Sequence, residues 1–227
     1  MRYKVFTYVV CLILVGLAGC NKSPVKSIHE GEIHYKITFH DRNAVLPDEL
    51  IPSSMVVKFK DNKTLMEITS PLGNNGVFII TEPDKNQMQT FIKILGMKYY
   101  YLGTADEIPP GINPMNNMHL KTTSQESSIL DLKCMKAVVS LPDKDFTYDI
   151  WYTKEIDIKN PNSFNPFREI DGVLINFFFM IGDTIIEFEA EGIYMHQIPD
   201  KDFEKGENFR RIGRKSMDDL IASMMSL

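Results

Sequence analysis

Cysteine is scarce in this chain of 227 residues, which holds three: Cys11, Cys20 and Cys134. Cys11 lies inside an apolar N-terminal segment and Cys20 ends that segment. Cys134 therefore stands alone in the remaining chain, where no intramolecular disulfide can form. The residues around Cys134 alternate as in a β-strand, so we expect a buried structural thiol rather than a nucleophile.

Motifs for catalysis and metal binding are also missing. The chain has no H-E-x-x-H or C-x-x-C pair, nucleophile elbow, phosphate loop or dinucleotide fingerprint. His34 and His40 share a predicted strand face, but six residues separate them by roughly 20 Å, too far for one metal ion. Glu187, Glu189 and Glu191 are more simply a solvated strand face than a calcium site. We expect no cofactor, no metal and no enzymatic activity, although a carboxylate pair from distant strands stays open.

The chain also lacks an excess of basic residues and an apolar run of membrane-spanning length. It has 25 basic and 30 acidic residues, and loss of residues 1–19, with Arg2 and Lys4, would leave 23 and 30, a net charge of about −7. An acidic domain without a basic stripe is a poor nucleic-acid binder. The apolar run from Val5 to Leu17 is shorter than the ~20 residues of a spanning helix, which disfavours an uncleaved transmembrane anchor.

What the N-terminus does have is the order of a bacterial lipoprotein signal: basic residues, a short apolar core and the sequence Leu17-Ala18-Gly19-Cys20. This order predicts a signal peptide over residues 1–19, lipidation of Cys20 and a lipidated tether over residues 20–30. Acyl chains contribute about 0.8 kcal/mol per buried methylene, so they hold a protein firmly on a membrane. Asn21 rather than Asp follows the cysteine. We therefore expect an outer-membrane lipoprotein of the cell envelope that faces the periplasm.

Residues 31–227 are predicted to form a single, mainly β domain. In Gly31–His40 the residues Ile33, Tyr35, Ile37 and Phe39 fall on one face and polar residues on the other, as in a half-buried strand. Similar patterns predict about ten antiparallel strands, at residues 31–40, 54–60, 63–69, 77–82, 87–94, 97–102, 128–141, 146–153, 173–180 and 184–196.

Five segments have patterns that differ from simple alternation. Val173–Met180 is apolar on both faces except at Asn176, which predicts a central strand covered on both sides. Ser216–Leu227 has helical spacing of apolar residues and predicts an amphipathic helix with Ser216 as its N-cap. The stretches 103–124 and 156–169 contain several prolines and are expected to be irregular connections, while residues 46–50 could form one helical turn.

Short stretches resemble GLPGLI-type and related uncharacterised lipoproteins of Gram-negative bacteria: residues 31–35, 129–137, 151–156 and 170–173. Together they cover the order of elements from about residue 31 to 200. The sequence Ile170-Asp171-Gly172-Val173-Leu174-Ile175 replaces the eponymous motif, which favours a sister family. The resemblance implies a half-barrel like that of the LolA/LolB carriers, a curved, incompletely closed antiparallel sheet with one or two covering helices, and it brings no catalytic residues. A closed lipocalin-like barrel is the alternative, disfavoured by the irregular stretches.

We expect a binding protein for a lipid, an acyl chain or a lipoprotein. The late loops are rich in Met and Phe, which suit variable apolar ligands, although the same residues could simply fill the core. The Pro-interrupted stretch 103–124 is the candidate for a movable cover. Two rival classes remain: a structural or interaction lipoprotein without a small ligand, and an envelope hydrolase that uses acidic residues. The candidate ligand-binding residues are Ile112, Met115, Met118, Leu120, Phe164 and Phe167.

Overall fold

The computed structural model describes residues 28–40, 51–71, 75–104, 107–204 and 206–226. It is mainly β: strands account for 56% of the described residues and form one open, curved sheet. The strands are β1 (Glu30–His40), β2 (Ser54–Lys60), β3 (Lys63–Thr69), β4 (Gly76–Glu82), β5 (Gln87–Ile94), β6 (Met97–Thr104), β7 (His119–Ile129), β8 (Leu132–Leu141), β9 (Phe146–Thr153), β10 (Val173–Ile181), β11 (Thr184–Tyr194) and β12 (Arg210–Arg211). Helix α1 (Arg214–Ser226) follows the last strand.

The strand order across the sheet is β12-β6-β5-β4-β3-β2-β1-β11-β10-β9-β8-β7. Most neighbouring strands in the sheet are also consecutive in the sequence. The long-range pairing of β1 with β11 joins the N-terminal and C-terminal halves of the chain. The sheet is antiparallel except where Arg210 and Arg211 of β12 pair in parallel with Tyr99 and Tyr100 of β6. The predicted mainly β half-barrel is therefore confirmed, but the sheet is mixed rather than purely antiparallel.

The predicted loop 103–124 and the predicted strand 128–141 were both wrong in extent. Gly103 belongs to β6, and the chain enters β7 at His119, so the described irregular part runs only from residue 107 to 118. The strand 128–141 is interrupted at Leu130 and Asp131, which have φ of 50° and 61° and close the β7–β8 hairpin. Consecutive positive φ values are typical of the tight turns that match strand twist.

The predicted C-terminal helix is present, but it begins at Arg214 rather than after Ser216. The predicted last strand ends at Tyr194, two residues before His196. In the described part of the chain α1 is the only α-helix; short 3-10 turns at Pro83–Lys85, Pro142–Lys144 and Asp200–Phe203 and irregular segments make the other connections. The predicted signal peptide, Cys20, the tether up to residue 27 and the helical turn 46–50 lie outside the described residues.

Strand β10 is enclosed on both faces, as predicted. Phe177 packs against Tyr35 and Phe188, with ring centroids 5.6 and 5.0 Å apart. Phe178 instead packs against Phe146 and Tyr148, at 5.2 and 5.3 Å. Both Phe side chains of β10 are buried. This strand and its neighbours form the centre of the main hydrophobic core.

The outer face of β3–β6 has a second apolar cluster. Its buried members on the sheet are Leu65, Ile80 and Phe91, and the chain that follows β11 covers them with Ile198 and Phe203. The inner face, defined here as the opposite face that bears Ile68 and Val77, is covered by α1 and by the segment before β7. The candidate site lies under this inner cover.

Candidate ligand-binding cleft

An apolar cleft lies between the inner face of the sheet and α1. All of its lining residues are apolar or glycine, and its cavity volume is about 60 Å³. Side chains of this kind offer no hydrogen-bond partner to a polar ligand group, whereas they can pack against the hydrocarbon part of a ligand. The lining residues are Ile37, Phe39, Pro52, Ile68, Gly76, Val77, Ile79, Pro110, Ile112, Phe179, Ile181, Ile186, Phe188, Ile221 and Met224.

The floor of the cleft follows from strand register. Phe39 of β1 and Phe179 of β10 both pair with Ile186 of β11, and Ile37 pairs with Phe188. Paired residues project from the same face of a sheet, because side chains alternate along each strand. Three adjacent strands thus present one continuous apolar surface beneath α1.

Helix α1 forms one wall of the cleft. Its buried residues Met217 and Ile221 pack against Ile92 of β5, and Met224 packs beside them, half buried. Ile221 and Met224 also line the cleft. The helical period places these three side chains on one face, so the amphipathic pattern that predicted the helix also produces its contact with the sheet.

The segment Pro109–Asn113 forms the second wall. Gly111 has φ of +83°, and a Cβ at this position would lie 2.3 Å from Cγ2 of Ile221, so glycine permits the close approach of α1. On the other side, Ile112 forms a β-bridge with Ile181, and the amide of Asn113 donates to the carbonyl oxygen of Met180 at 2.7 Å. This segment is thus anchored to the end of β10.

A polar network, which we call the Arg214 network, joins this segment to the start of α1. Arg214 donates from Nε to Asp218 at 2.9 Å and from Nη1 to the carbonyl oxygen of Ile108 at 2.7 Å. Its Nη1 also lies 3.3 Å from a carboxylate oxygen of Glu107. Asp218 in turn accepts a hydrogen bond from the amide of Gly111 at 2.8 Å. The guanidinium is therefore held in one orientation from several sides.

Tyr101 of β6 completes the network by donating its hydroxyl hydrogen to Glu107. Burial tends to raise the pKa of Glu107, but hydrogen bonds from Tyr101 and Thr104 and the charge of Arg214 outweigh it, so the net pKa is lowered. Burial and the Glu107 carboxylate both raise the pKa of Tyr101. Glu107 is consequently an anion and Tyr101 a neutral donor at neutral pH.

Of the six residues predicted to bind the ligand, Ile112 lines the cleft. Met115 is buried and Met118 half buried against the main core, and Leu120 is a half-buried residue of β7. Phe167 is fully buried in the main core, where it packs on Phe178 and Phe179. Phe164 lies in another cluster with Ile79 and Met88. The structure therefore does not bring the six residues together.

Most of the residues that do line the cleft come from strands whose alternation the sequence showed. Ile186 and Phe188 stand opposite the acidic Glu187 and Glu189 on β11, a pattern that indicates which residues face inward. The sequence did not indicate which of the inward-facing positions would be left uncovered. That depends on the path of α1 and on its contact at Gly111, which are properties of the tertiary structure.

Among the described residues no group of three or more His, Cys, Asp or Glu side chains could hold a metal ion. Cys134 is buried, and burial raises the pKa of its thiol, as expected for a structural cysteine. Within the described ranges no helix has the length and apolar character needed to cross a membrane.

Comparisons with known proteins give likenesses of fold alone. No protein-family model matches the chain, and no curated protein matches it. The resemblance to GLPGLI-type lipoproteins therefore stays a prediction. Among solved structures, PNGF-II superposes with a TM-score of 0.54 at 16% identity, over 86% of this chain and 33% of that chain. The chain thus spans about a third of the PNGF-II chain, and at this identity the likeness shows a shared fold.

A structural neighbour from the LolA superfamily also occurs, a protein of Nitrosomonas europaea. It shares 14% identity and covers 78% of this chain and 91% of its own, with a TM-score of 0.34. This superposition is too loose to support an inference about the ligand.

Proposed function

We propose that this protein is a non-catalytic binding protein of the cell envelope that holds the hydrocarbon part of an amphiphilic ligand in the cleft. The observation that carries the proposal is the wholly apolar lining of the cleft beneath α1. A packed interior has few voids larger than a water molecule, and an apolar cavity of this kind stays dry and takes up apolar molecules. The predicted lipid anchor at Cys20 would keep the protein beside a membrane that supplies such ligands.

The size of the cleft implies that binding opens it further. Its volume of about 60 Å³ is smaller than the engineered cavity of about 150 Å³ that takes up benzene. A long alkyl chain would thus have to displace part of the cover. We assign that movement to the second half of α1, where Ile221 and Met224 lie over the cleft.

The hydrogen bonds of α1 explain why this half can move. In the described part of the chain, Arg214 and Asp218 make the hydrogen bonds that join the helix to the Glu107–Gly111 segment. The Lys215–Asp219 ion pair and the Ser223 hydrogen bond to the carbonyl of Asp219 both stay within the helix. The second half of α1 is therefore held by apolar contacts, which are non-directional and permit a shift of the helix.

The proposal is tested by filling the cleft. Ile181 is a half-buried cleft residue at the end of β10. We expect Ile181→Trp to weaken binding of hexadecanoic acid at least about tenfold, because the indole occupies the space that the ligand needs. Titration calorimetry on a chain that starts at residue 21 measures the affinity. Leu130→Trp, at the exposed β7–β8 turn, is the matched control and should bind like the wild type.

The alternative role, a structural or interaction lipoprotein without a small ligand, predicts a different result. In that case hexadecanoic acid, hexadecanol and phospholipid would produce no binding heat. They would also leave the melting temperature unchanged, whereas a ligand at a hundredfold excess over its dissociation constant stabilises a fold by about 2.7 kcal/mol. An absence of both effects in the wild-type chain would overturn the binding proposal.

A further inference from the structure

The turn that joins β5 to β6 is an exposed apolar tip, which we define as Ile94–Met97. Leu95 is 77% exposed and Met97 45%, and Leu95 is the most exposed large apolar side chain among the described residues. Its amide donates to the side-chain oxygen of Asn75 at 2.9 Å, next to Gly76, which lines the cleft. Two-residue turns of this kind usually carry Asn, Asp or Gly. The apolar side chains of the tip therefore point to a role other than turn formation.

Four basic side chains lie just behind the apolar tip, and none of them forms an ion pair within the described part of the chain: Lys93, Lys98, Arg210 and Arg211. Lys93 and Lys98 stand directly opposite each other on β5 and β6. Like charges in opposed positions destabilise a sheet. Their ammonium groups lie over the rings of Phe78 and Phe209, at 4.7 and 5.7 Å from the centroids. The positive charge is thus concentrated here at a cost to the fold.

This positive charge contrasts with the acidic character of the whole chain, which has 25 basic and 30 acidic residues. Lys93 shares a depression on the outer face with Glu67, Asp202 and Glu204, but Lys58 already pairs with the first two carboxylates. Basic residues also protect the edge strands of a sheet from unwanted pairing. Lys93 lies on β5, inside the sheet, so edge protection does not explain it.

Aromatic residues follow the tip directly. Tyr99, Tyr100 and Tyr101 are half-buried residues of β6. Tyrosine, with an apolar ring and a polar hydroxyl, is enriched where a membrane meets water. Interfacial elements enter a membrane by about 5–10 Å, and at about 3.3 Å per residue the basic side chains lie roughly 5–15 Å behind Leu95. Apolar tip, basic side chains and tyrosines therefore follow one another at the spacing of acyl chains and headgroups.

We propose that the apolar tip docks on a lipid bilayer that contains anionic headgroups. Leu95 and Met97 enter the boundary of the acyl chains, and the four basic side chains bind the headgroup phosphates. This docking does not depend on a ligand in the cleft. If the cleft does bind an amphiphile, docking brings its edge at Gly76 beside the membrane.

The strand register places the apolar tip away from the predicted tether. Lys93 belongs to the same row of paired residues as Lys36, which lies six residues after Glu30 on β1. The tip is thus roughly 25 Å along the strands from the point where the tether joins the sheet. The predicted tether of residues 20–30 spans at most about 40 Å. Both the anchoring bilayer and a facing bilayer are therefore within reach of the tip.

Fluorescence quenching tests the docking. Full-length protein in phosphatidylcholine nanodiscs carries an environment-sensitive fluorophore at Leu95→Cys; Cys134 is buried and does not compete for the label. Nitroxide lipids, which quench on contact, are placed either in the nanodisc or in added vesicles, with or without about one-third phosphatidylglycerol. We expect quenching in at least one arrangement, and it identifies the bilayer on which the tip docks. Phosphatidylglycerol should raise the ratio of quenched to unquenched protein at least about tenfold, because each basic residue near an anionic surface contributes about fivefold.

Variants locate the effect. Lys93→Gln with Lys98→Gln, and separately Arg210→Gln with Arg211→Gln, should each lower that ratio about tenfold on anionic lipid. The second pair leaves the rings of Phe78 and Phe209 undisturbed, so it serves if the first pair impairs folding. Lys36→Gln with Lys121→Gln is the matched control, because it removes the same charge from exposed positions on β1 and β7. A fluorophore at Ser124→Cys, exposed on the opposite edge strand, should not be quenched.

Several results would overturn the proposal. Absence of quenching at Leu95 in both arrangements would exclude a bilayer and favour a protein partner for the tip. Equal quenching at Leu95 and Ser124 would mean that contact with lipid is not specific to the tip. Quenching that ignores phosphatidylglycerol, high salt and both pairs of substitutions would exclude the anionic headgroups. All of these results would leave the ligand-binding proposal standing, since calorimetry with hexadecanoic acid tests it separately.

Discussion

The inner and outer faces of β3–β6 are both covered by chain from the C-terminal part of the sequence, but the two covers differ. On the outer face Ile198 and Phe203 pack directly on Leu65, Ile80 and Phe91 in one buried cluster. On the inner face α1 packs tightly at Met217 and Ile221, yet it leaves the cleft beside them. One cover completes a core, and the other borders an unfilled apolar space.

The two covers also differ in where their polar contacts with the rest of the protein lie. The outer cover is fixed at successive points: the amide of Ile198 donates to Glu30 at 2.6 Å, Asp200 pairs with Lys60 at 2.9 Å and Asp202 pairs with Lys58 at 3.0 Å. The inner cover is fixed by the Arg214 network near the start of α1 and by the hydrogen bond from Asn113 to Met180 of β10. The second half of α1 lacks such polar contacts among the described residues, and it is the part to which we assign the proposed movement.

The largest expected effect concerns β10, whose side chains are part of the main hydrophobic core. Phe177→Ala and Phe178→Ala should each lower the free energy of unfolding by about 3–5 kcal/mol, the range for truncation of a buried Phe. Both side chains are buried, with exposures of 3% and 0%, in different sets of neighbours. Denaturant melts of the two variants measure this. A cost below about 0.5 kcal/mol for either would mean that its face of β10 is open to solvent.

The next prediction compares the two covers. Phe203→Ala in the outer cover should cost about 3 kcal/mol, because it leaves a cavity in a closed cluster. Met224→Ala in the inner cover should cost about 1 kcal/mol or less, since this half-buried side chain already borders open space. Equal losses of unfolding free energy in the two variants would contradict the distinction between a fixed outer cover and an inner cover that can open. Chemical denaturation of both variants in one buffer gives the comparison.

The sequence predicted the sheet well where alternation was strong and poorly where it was absent. Gly31–His40 has apolar residues at every second position and forms β1 as expected. Strand β7 was missed because most of its residues, from His119 to Ile129, are polar and exposed on both faces at the edge of the sheet. Strand β12 has two residues, too few for any period to be visible. Edge elements are specified by their neighbours rather than by their own burial pattern.

The sequence analysis predicted an apolar site, and the candidate cleft is apolar, but of the six predicted residues Ile112 alone lines it. The expectation of Met- and Phe-rich loops placed Phe167 in the ligand site, whereas this ring is fully buried in the core. An apolar residue in the sequence cannot be assigned to a core or to a pocket wall from its type, because both have the same chemistry.

The contact between Gly111 and α1 gives a smaller but more specific test. Gly111→Ala should lower stability by about 1–3 kcal/mol and accelerate amide exchange in α1, because a methyl group and the Ile221 side chain would occupy the same space. Gly182→Ala is the control: it shares a positive φ, of 56°, but a Cβ there would meet no atom within 4 Å. Its effect should stay near 1 kcal/mol, without a change in α1. Identical exchange profiles in the two variants would contradict the close approach of α1.

The smallest expected effect is the pH dependence of the inner cover. The folded-state pKa of Glu107 is lowered from its ordinary value of 4.5. The unfolded chain therefore binds the proton more tightly, so the contribution of Glu107 to stability is complete above that value and is lost as the pH falls through the lowered pKa. Glu107→Gln should reduce the melting temperature at neutral pH, and the difference in melting temperature from the wild type should disappear as the pH is lowered.

Glu126→Gln is the control. It removes an exposed ion pair with Lys133 and should change the melting temperature little at any pH. A deficit in Glu107→Gln that persists or grows in acid would show that the carboxylate acts through packing rather than through its charge.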